Sequence, residues 1–355
     1  MPPNQSVHDL VELEELAIRS TTETIRVAIL GCGMMGQEHI SYISGYDDLQ
    51  IAYLCDPHQP SLDKSLSVLQ EFSNASVEQP ELFLNEKDLL QHASSIDLLV
   101  IASPNYLHTD SLQRWGNHPL TILVEKPVAV SKEQVTELRQ LQASPSFVAR
   151  IWVAMEYRYI PAIAKLRSLL PRIGDLRMVS IRENRYPFLH KIGAWNRDRR
   201  QTGDSLVEKC CHFFDLFRLI SQQETNGQVQ ALAQRGINYQ NEQDRVDPPV
   251  LDSAYVILGL QDEQHGKPPA MGSLELCMFA EGSRHQEEII VTGTKVCCFW
   301  GGGGGGFSMF CWVCICCLWH CFISNDIRLL PARFDWMDAA SISAMSLLVV
   351  VVVTT

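Results

Sequence analysis

Near its start the chain reads IRVAILGCGMMGQEHI: an apolar run, then Gly31-x-Gly33-x-x-Gly36, then residues able to turn helical. Three glycines at this spacing limit the fold more than any other feature, because each has its own mechanical task. The first permits a tight strand-to-helix turn. The second lets backbone approach a pyrophosphate, and the third lets the helix pack closely on the strand, with phosphate at the helix N-terminus. A second apolar run, LQIAYLCDP, ends in Asp56, 25 positions after Gly31. That is near the ~20-residue spacing of the acid that binds the adenosine ribose hydroxyls. A carboxylate there favours the free 2′-hydroxyl of NAD and repels a 2′-phosphate. No Arg or Lys follows within DPHQP, so NAD is expected and NADP is less favoured.

The alternation of strand and helix continues. SIDLLVIASPNYLH reads as a strand, a Pro-Asn turn and a helix running to about Trp115. LTILVEKPVAV is another buried strand, followed by a helix with Ser131 as its N-cap, and FVARIWVAM closes the series. Apolar runs separated by helices indicate a parallel sheet covered on both faces, with ligands bound beyond the carboxyl ends of the strands. Ser103, Asn105, Glu125 and Lys126 all fall at those ends. A lysine just past a buried strand is notable, since Lys is seldom buried without a partner or a task.

A chain of 355 residues has room for about two domains. Residues 1–24 are polar and acidic and read as a flexible arm, with neither a secretory signal nor a transit peptide. The nucleotide-binding domain is expected over 25–150 and a second domain over 151–295. The net charge of -12 argues against a nucleic-acid or anionic-membrane partner. Five scattered cysteines (Cys32, Cys55, Cys210, Cys211, Cys277) suit free thiols in the reducing cytoplasm.

After Met155 the pattern changes. YIPAIAKLRSLLPRIGDL runs helical to Gly174, and RMVSIREN alternates as a strand. LHKIGAWNRDRRQTGDS is a polar loop whose arginines read most simply as solvated. VQALAQR, SAYVILGL, SLELCMF and EEIIVTG then follow as strands without helices between them, the mark of an antiparallel sheet. Between loop and strands lies LVEKCCHFFDLFRLI, read as one buried helix with Glu208 and His212 four apart on one face. Adjacent helical positions diverge by about 100°, so Cys210, Cys211 and His212 cannot converge on one ion, and no metal is expected.

Taken in order, Gly31-Cys-Gly33-Met-Met-Gly36, SPNYLH and VEKPVAV resemble the glucose–fructose oxidoreductase/inositol dehydrogenase family (Gfo/Idh/MocA type) of NAD(P)-dependent oxidoreductases, over roughly residues 25–295. The resemblance implies an α/β protein: an N-terminal Rossmann domain, then a C-terminal α/β domain on an open, mainly antiparallel sheet that usually forms the subunit interface of a homo-oligomer. It implies dinucleotide contacts from Gly31, Gly33, Met34, Met35, Gly36, Asp56, Ser103, Pro104, Asn105, His108, Glu125 and Lys126, and from Arg158 near the nicotinamide end. By resemblance Lys126 and His212 contact the reacting oxygen and Glu208 orients them. Trp195, Asn196 and Arg197 would join His212 around a polyhydroxylated substrate, with an inositol-like ring favoured. Two positions depart from the family pattern: Glu208 stands where Asp is usual, and Asp204 where a second glycine is usual. A non-catalytic NAD-binding regulator and a redox-neutral, NAD-using glycosidase are the alternatives on this fold.

From Val296 the chain changes character. No Asp, Glu, Lys or Arg occurs between Val296 and Ile323, seven cysteines crowd into this stretch, and Gly301 to Gly306 are consecutive. Such a length could span a bilayer, although six glycines would weaken a spanning helix. Val, Cys, Phe, Trp and Gly can all be written with T and G alone, and Thr-Lys-Val fits a splice-donor pattern. Residues 296–355 therefore read as translated intron or a gene-model error.

Overall fold

The computed structural model describes residues 24–73, 78–238, 249–262, 266–280, 282–283, 286–295, 297–303, 306–308 and 351–352. Two compact units divide the chain. The first runs to Val128 and resumes over Thr136–Val153; the second comprises Ala129–Val135 and the chain from Ala154 onward.

In the first unit β1 (Ile25–Leu30), α1 (Met34–Ile43), β2 (Leu49–Cys55), α2 (Gln59–Phe72), β3 (Glu81–Phe83), α3 (Glu86–Leu90), β4 (Leu98–Ile101), α4 (His108–Trp115), β5 (Thr121–Val124), α5 (Lys132–Ala143) and β6 (Arg150–Val153) alternate. The strands form a sheet in the order β3-β2-β1-β4-β5-β6, and every pair is parallel. The central strand shows why the run is apolar without alternation. Ala28 and Leu30 enter one core cluster and Val27 and Ile29 another, so both faces of β1 are covered. Ser131 caps α5 by accepting a hydrogen bond from the Gln134 N–H at 3.2 Å.

The second unit contains α6 (Pro161–Leu169), β7 (Leu176–Asn184), α7 (Arg199–Thr202), α8 (Ser205–Glu208), α9 (Cys211–Ser221), β8 (Glu224–Gln234), β9 (Ser253–Asp262), β10 (Lys267–Cys277), β11 (Glu287–Gly293), β12 (Cys297–Gly303) and β13 (Gly306–Ser308). Its sheet runs β13-β12-β11-β7-β10-β9-β8, with β14 (Val351–Val352) beside β12. All these pairs are antiparallel except β10 with β7, which is parallel. One face carries the core: Val179, Ile181, Leu258, Leu274 and Val291 pack with Ile163 and Leu166 of α6 and Phe213 and Phe217 of α9. Burying each phenylalanine contributes about 2–3 kcal/mol. The alternate residues Met178, Tyr255, Ile257 and Met271 are exposed, as a period of two requires.

Two expectations change here. LVEKCCHFFDLFRLI is not one helix: α8 ends at Glu208, Lys209 and Cys210 form a turn, and α9 begins at Cys211. Glu208 and His212 therefore stand on separate helical pieces. The loop before them is also less solvated than its composition suggests. Asn196, Arg197 and Asp198 are buried, while Arg199 and Arg200 are exposed. Most of the anomalous C-terminal segment, 309–350, lies outside the described residues, as does the N-terminal arm to residue 23. The stretch Cys297–Gly303 does form a strand, paired with β11.

Candidate functional site

The glycine turn of the first unit has the shape its spacing implies. Gly31 has φ +98°, and a Cβ added there would come within 2.5 Å of the Ala102 and Ser103 backbone. At Gly36 a Cβ would lie 2.0 Å from the Gly31 carbonyl oxygen, so α1 and β1 touch through backbone alone. Gly33 differs: nothing lies within 4 Å of where its Cβ would be. It is also the N-cap of α1, and no side chain caps the first amides of that helix. Met34 is exposed and Met35 half-buried beside it.

Asp56 follows β2 and is fixed by two amides. Its Oδ2 accepts from the Cys32 N–H at 2.8 Å and its Oδ1 from the His58 N–H at 2.8 Å. Each oxygen keeps a lone pair for a further donor. A cradle lacking side chains, an uncapped helix start and a fixed carboxylate at the end of the neighbouring strand fit a dinucleotide diphosphate and its ribose. Burial, then the Asp56 charge, push the Cys32 thiol up to about 12, so that sulfur packs rather than reacts. Cys32, Cys55, Cys210, Cys211 and Cys277 are all free thiols.

The two loops at the ends of β4 and β5 are tied together. His108 is fully buried, and its Nδ1 and Nε2 lie 2.8 Å from the carbonyl oxygens of Pro127 and Ser103 respectively. A neutral imidazole has one N–H and donates to only one of these carbonyls, but the ring sits between both, bridging the Ser103-Pro104-Asn105 turn and the Glu125-Lys126-Pro127 turn. Asn105 is buried, and the Ser103 hydroxyl is a buried atom with no hydrogen-bond partner among the described residues. Glu125 accepts from or pairs with His39 of α1 at 2.8 Å. Burial alone would raise the Glu125 carboxyl, but the His39 hydrogen bond and the His39 and Lys126 charges hold it below its ordinary range. Lys126 is half-buried and joined to Pro127 by a cis peptide bond.

In the second unit His212 is buried at the start of α9, where its imidazole stacks on Tyr157 with ring centroids 4.5 Å apart and planes 13° apart. Glu156 Oε1 lies 3.8 Å from His212 Nε2. Glu208 is buried at the end of α8. One helical turn past His212, Asp215 grips Arg158: its Oδ2 accepts from Arg158 Nε at 2.6 Å and its Oδ1 from Nη2. Beneath the stack lies a charged cluster. Buried Lys209 sits 3.2 Å from Glu183 and 3.6 Å from Glu287, and donates to the Tyr157 hydroxyl at 2.7 Å. Burial drives the Glu183 carboxyl up to about 8, with Lys209 opposing and Glu287 adding to the shift. Burial and the neighbouring carboxylates raise the Tyr157 phenol as well.

Two family models match the chain in order: the NAD-binding Rossmann fold of an oxidoreductase family over residues 25–150, and the C-terminal alpha/beta domain of the same family over 168–300. The chain belongs to the glucose–fructose oxidoreductase/inositol dehydrogenase family. Among curated members of the family, an inositol 2-dehydrogenase of Rhizobium meliloti is 24% identical over 203 residues, which cover 57% of this chain and 56% of the relative. The chain thus spans little more than half the length of such relatives. Among solved structures, the WlbA dehydrogenase from Bordetella pertussis in complex with NADH and UDP-GlcNAcA superposes with a TM-score of 0.62 at 19% identity, covering 79% of each chain. The scyllo-inositol dehydrogenase from Lactobacillus casei with bound NAD(H) and scyllo-inositol superposes at 0.60 and 19%, covering 77% of this chain and 74% of the other. At these identities the structures establish the fold.

The family's C-terminal model extends to residue 300, five residues into the segment that reads as foreign in composition. Of the residues the family pattern marks for substrate, Trp195 is half-buried, with Lys191 Nζ 4.7 Å over its ring. Asn196 donates to the Leu189 carbonyl at 2.7 Å, and its buried Oδ1 has no hydrogen-bond partner among the described residues. Asp204, where the family more often has glycine, has φ 74° and ψ 171°, a conformation open almost only to Gly. Its carboxylate accepts from the amides of Ser205 at 2.9 Å and Leu251 at 2.5 Å and pairs with Arg235 at 3.3 Å, which explains how a side chain is kept there. His39, Glu156, Tyr157, Glu183, Lys209 and Glu287 escaped the sequence reading. Lys209 alone carried a signal, as a lysine amid an apolar helical run.

No helix among the described residues is long and apolar enough to cross a membrane, and no group of three potential metal ligands occurs among them.

Proposed function

We propose that this chain transfers hydride between NAD and a secondary alcohol or ketone of a cyclic polyol or sugar derivative, with an inositol-like ring as the leading substrate. What best supports this reading is one co-occurrence. An open Gly33 between closed Gly31 and Gly36, with Asp56 beyond, occurs in a family member that also has Lys126, Glu208 and His212 at the motif positions. Bound NAD supplies the hydride acceptor. The hydroxyl must at the same time lose its proton, and Lys126 and His212 are the two candidate acceptors. Glu208 orients or polarises the acceptor. Loss of hydride and proton leaves a ketone, NADH and one proton on the protein; Glu156, close to His212 and largely exposed, offers that proton a path to solvent. Gly31, Gly33, Met34, Met35, Gly36, Asp56 and the Ser103–Asn105 turn would hold the dinucleotide, and Arg158 would sit towards its nicotinamide end. Trp195, Asn196, Arg197 and His212 would hold the polyol, an aromatic face edged by hydrogen-bond donors. A cytoplasmic homo-oligomer built on the open sheet completes the reading.

The test is NADH absorbance with a panel of inositols and sugars. Turnover with NAD that is lost in both Lys126→Ala and His212→Ala, while His212→Ala still binds NADH, is the expected result. NADH binding by the wild-type chain with no turnover of any polyol would replace this reading with a non-catalytic one.

A further inference from the structure

The cluster beneath His212 has no place in the chemistry just proposed. Its members come from distant parts of the second unit: Tyr157 before α6, Glu183 on β7, Lys209 in the turn between α8 and α9, and Glu287 at the start of β11. The Tyr157 hydroxyl has one arrangement available, accepting from Lys209 Nζ and donating to Glu287 Oε1. Arg185 Nη1, 3.7 Å from Glu183 Oε1, supplies a second cation, so two positive groups face two carboxyls. Buried charge sets of this kind are weak contributors to stability compared with apolar packing. Their product here is a phenol fixed at its far end. The face of that ring carries the His212 imidazole, stacked nearly parallel, and Phe213 meets the ring edge-on at 5.8 Å and 71°.

Rotation of an imidazole about its last side-chain bond is a soft, broad torsion. A stacked ring that can itself slide would leave that torsion soft, whereas a ring hydrogen-bonded at its hydroxyl holds the plane. We propose that Tyr157 is a positioning residue for His212, and that Lys209, Glu183 and Glu287 fix the tyrosine hydroxyl so that the imidazole presents its nitrogens in one plane. The turn at Lys209 and Cys210 between α8 and α9 is where that ammonium meets Glu183 and Glu287. This inference rests on His212 being an active-site group, but its subject is ring orientation, which can be read without turnover.

The test uses the full chain with histidine labelled at ring Cε1. The His212 resonance is assigned by its disappearance in His212→Gln and then followed in Tyr157→Phe and Lys209→Met. Protons over an aromatic face are shielded, so the wild-type signal is expected upfield. Tyr157→Phe keeps the ring and removes both anchoring hydrogen bonds; it is expected to shift and broaden the His212 signal. Lys209→Met is expected to do the same by releasing the hydroxyl. Neither substitution touches the Gly31–Gly36 turn or Asp56, so NADH binding is expected to persist in both. A His212 signal at its wild-type position and width in Tyr157→Phe overturns the proposal. If Lys209→Met fails to fold, Lys209→Met/Glu183→Gln, which removes one charge of each sign, takes its place. The expected shifts without turnover of any polyol would refute the catalytic reading and leave this one standing.

Discussion

Glu183→Gln tests whether burial or ion pairing governs the cluster. Glu183 is 1% exposed, its Oε2 has no hydrogen-bond partner among the described residues, and Lys209 lies 3.2 Å from its Oε1. The ammonium alone would keep the carboxyl ionised, but Glu287 competes for the same cation and burial is the largest influence. The carboxyl is raised from 4.5 to about 8. Between those values the folded chain holds a proton that the unfolded chain releases, so stability falls as pH rises through the window and is fully retained only below it. Each unit of pH inside the window removes about 1.4 kcal/mol. From about pH 5 to about pH 8 wild type therefore loses about 4 kcal/mol that a glutamine, which cannot titrate, does not lose. Urea unfolding of both proteins across that range measures the effect of removing Glu183, together with any change in how its neighbour Glu287 titrates. The difference in stability should move in favour of Glu183→Gln by about 4 kcal/mol on going from acid to alkaline pH. Parallel pH curves would refute the reasoning and show that Lys209 keeps Glu183 ionised.

Gly36→Ala places a methyl 2.0 Å from the Gly31 carbonyl oxygen, which is backbone and cannot swing aside, so NADH binding measured by fluorescence should be lost while the second unit keeps its fold. Asp56→Asn keeps one oxygen for the Cys32 or His58 amide but removes the charge; NAD affinity by calorimetry should fall about tenfold, and discrimination against NADP should shrink with it. At Asp204, glycine removes strain and carboxylate together, whereas alanine keeps the strain and loses the carboxylate. Thermal unfolding should place Asp204→Gly within about 1 kcal/mol of wild type and Asp204→Ala lower by about 2–4 kcal/mol, and equal stability of the two would count against the strain.

What could be read from the sequence was what local chemistry controls. The glycine turn, Asp56 and the strands and helices of the first unit follow from spacings within some thirty residues, and the Ser131 cap from three. What escaped depends on partners far apart in the chain. Nothing near Lys209 announces Glu183 or Glu287, and a strong apolar periodicity over LVEKCCHFFDLFRLI reads as one helix although a turn at Lys209 and Cys210 divides it. Likewise the polar loop around Asn196 and Arg197 gives no local sign that it is covered. The alternating strands of the second unit foretold an antiparallel sheet but not the parallel pairing of β10 with β7, because periodicity fixes faces and not neighbours. His39 meets Glu125 across 86 residues, a contact no local pattern contains.

The position of β7 decides when the second unit can close. Its two neighbours, β10 and β11, are made about a hundred residues after it, and Arg182 towards its C-terminal end binds Glu275 and Glu288, 93 and 106 positions on. As the chain leaves the ribosome, the first sheet is complete once β6 has emerged. Once β7 follows, it stands as a central strand with both edges bare until β10 and β11 are made, and Glu183 lacks Glu287 until then. Non-local pairing of this kind is slow, and unpaired edges invite association with other chains. Synthesis to Gly293 is the point at which β7 can have both its neighbours, so a ribosome that stalls between α9 and β11 leaves a finished nucleotide-binding unit tethered to an aggregation-prone half-sheet.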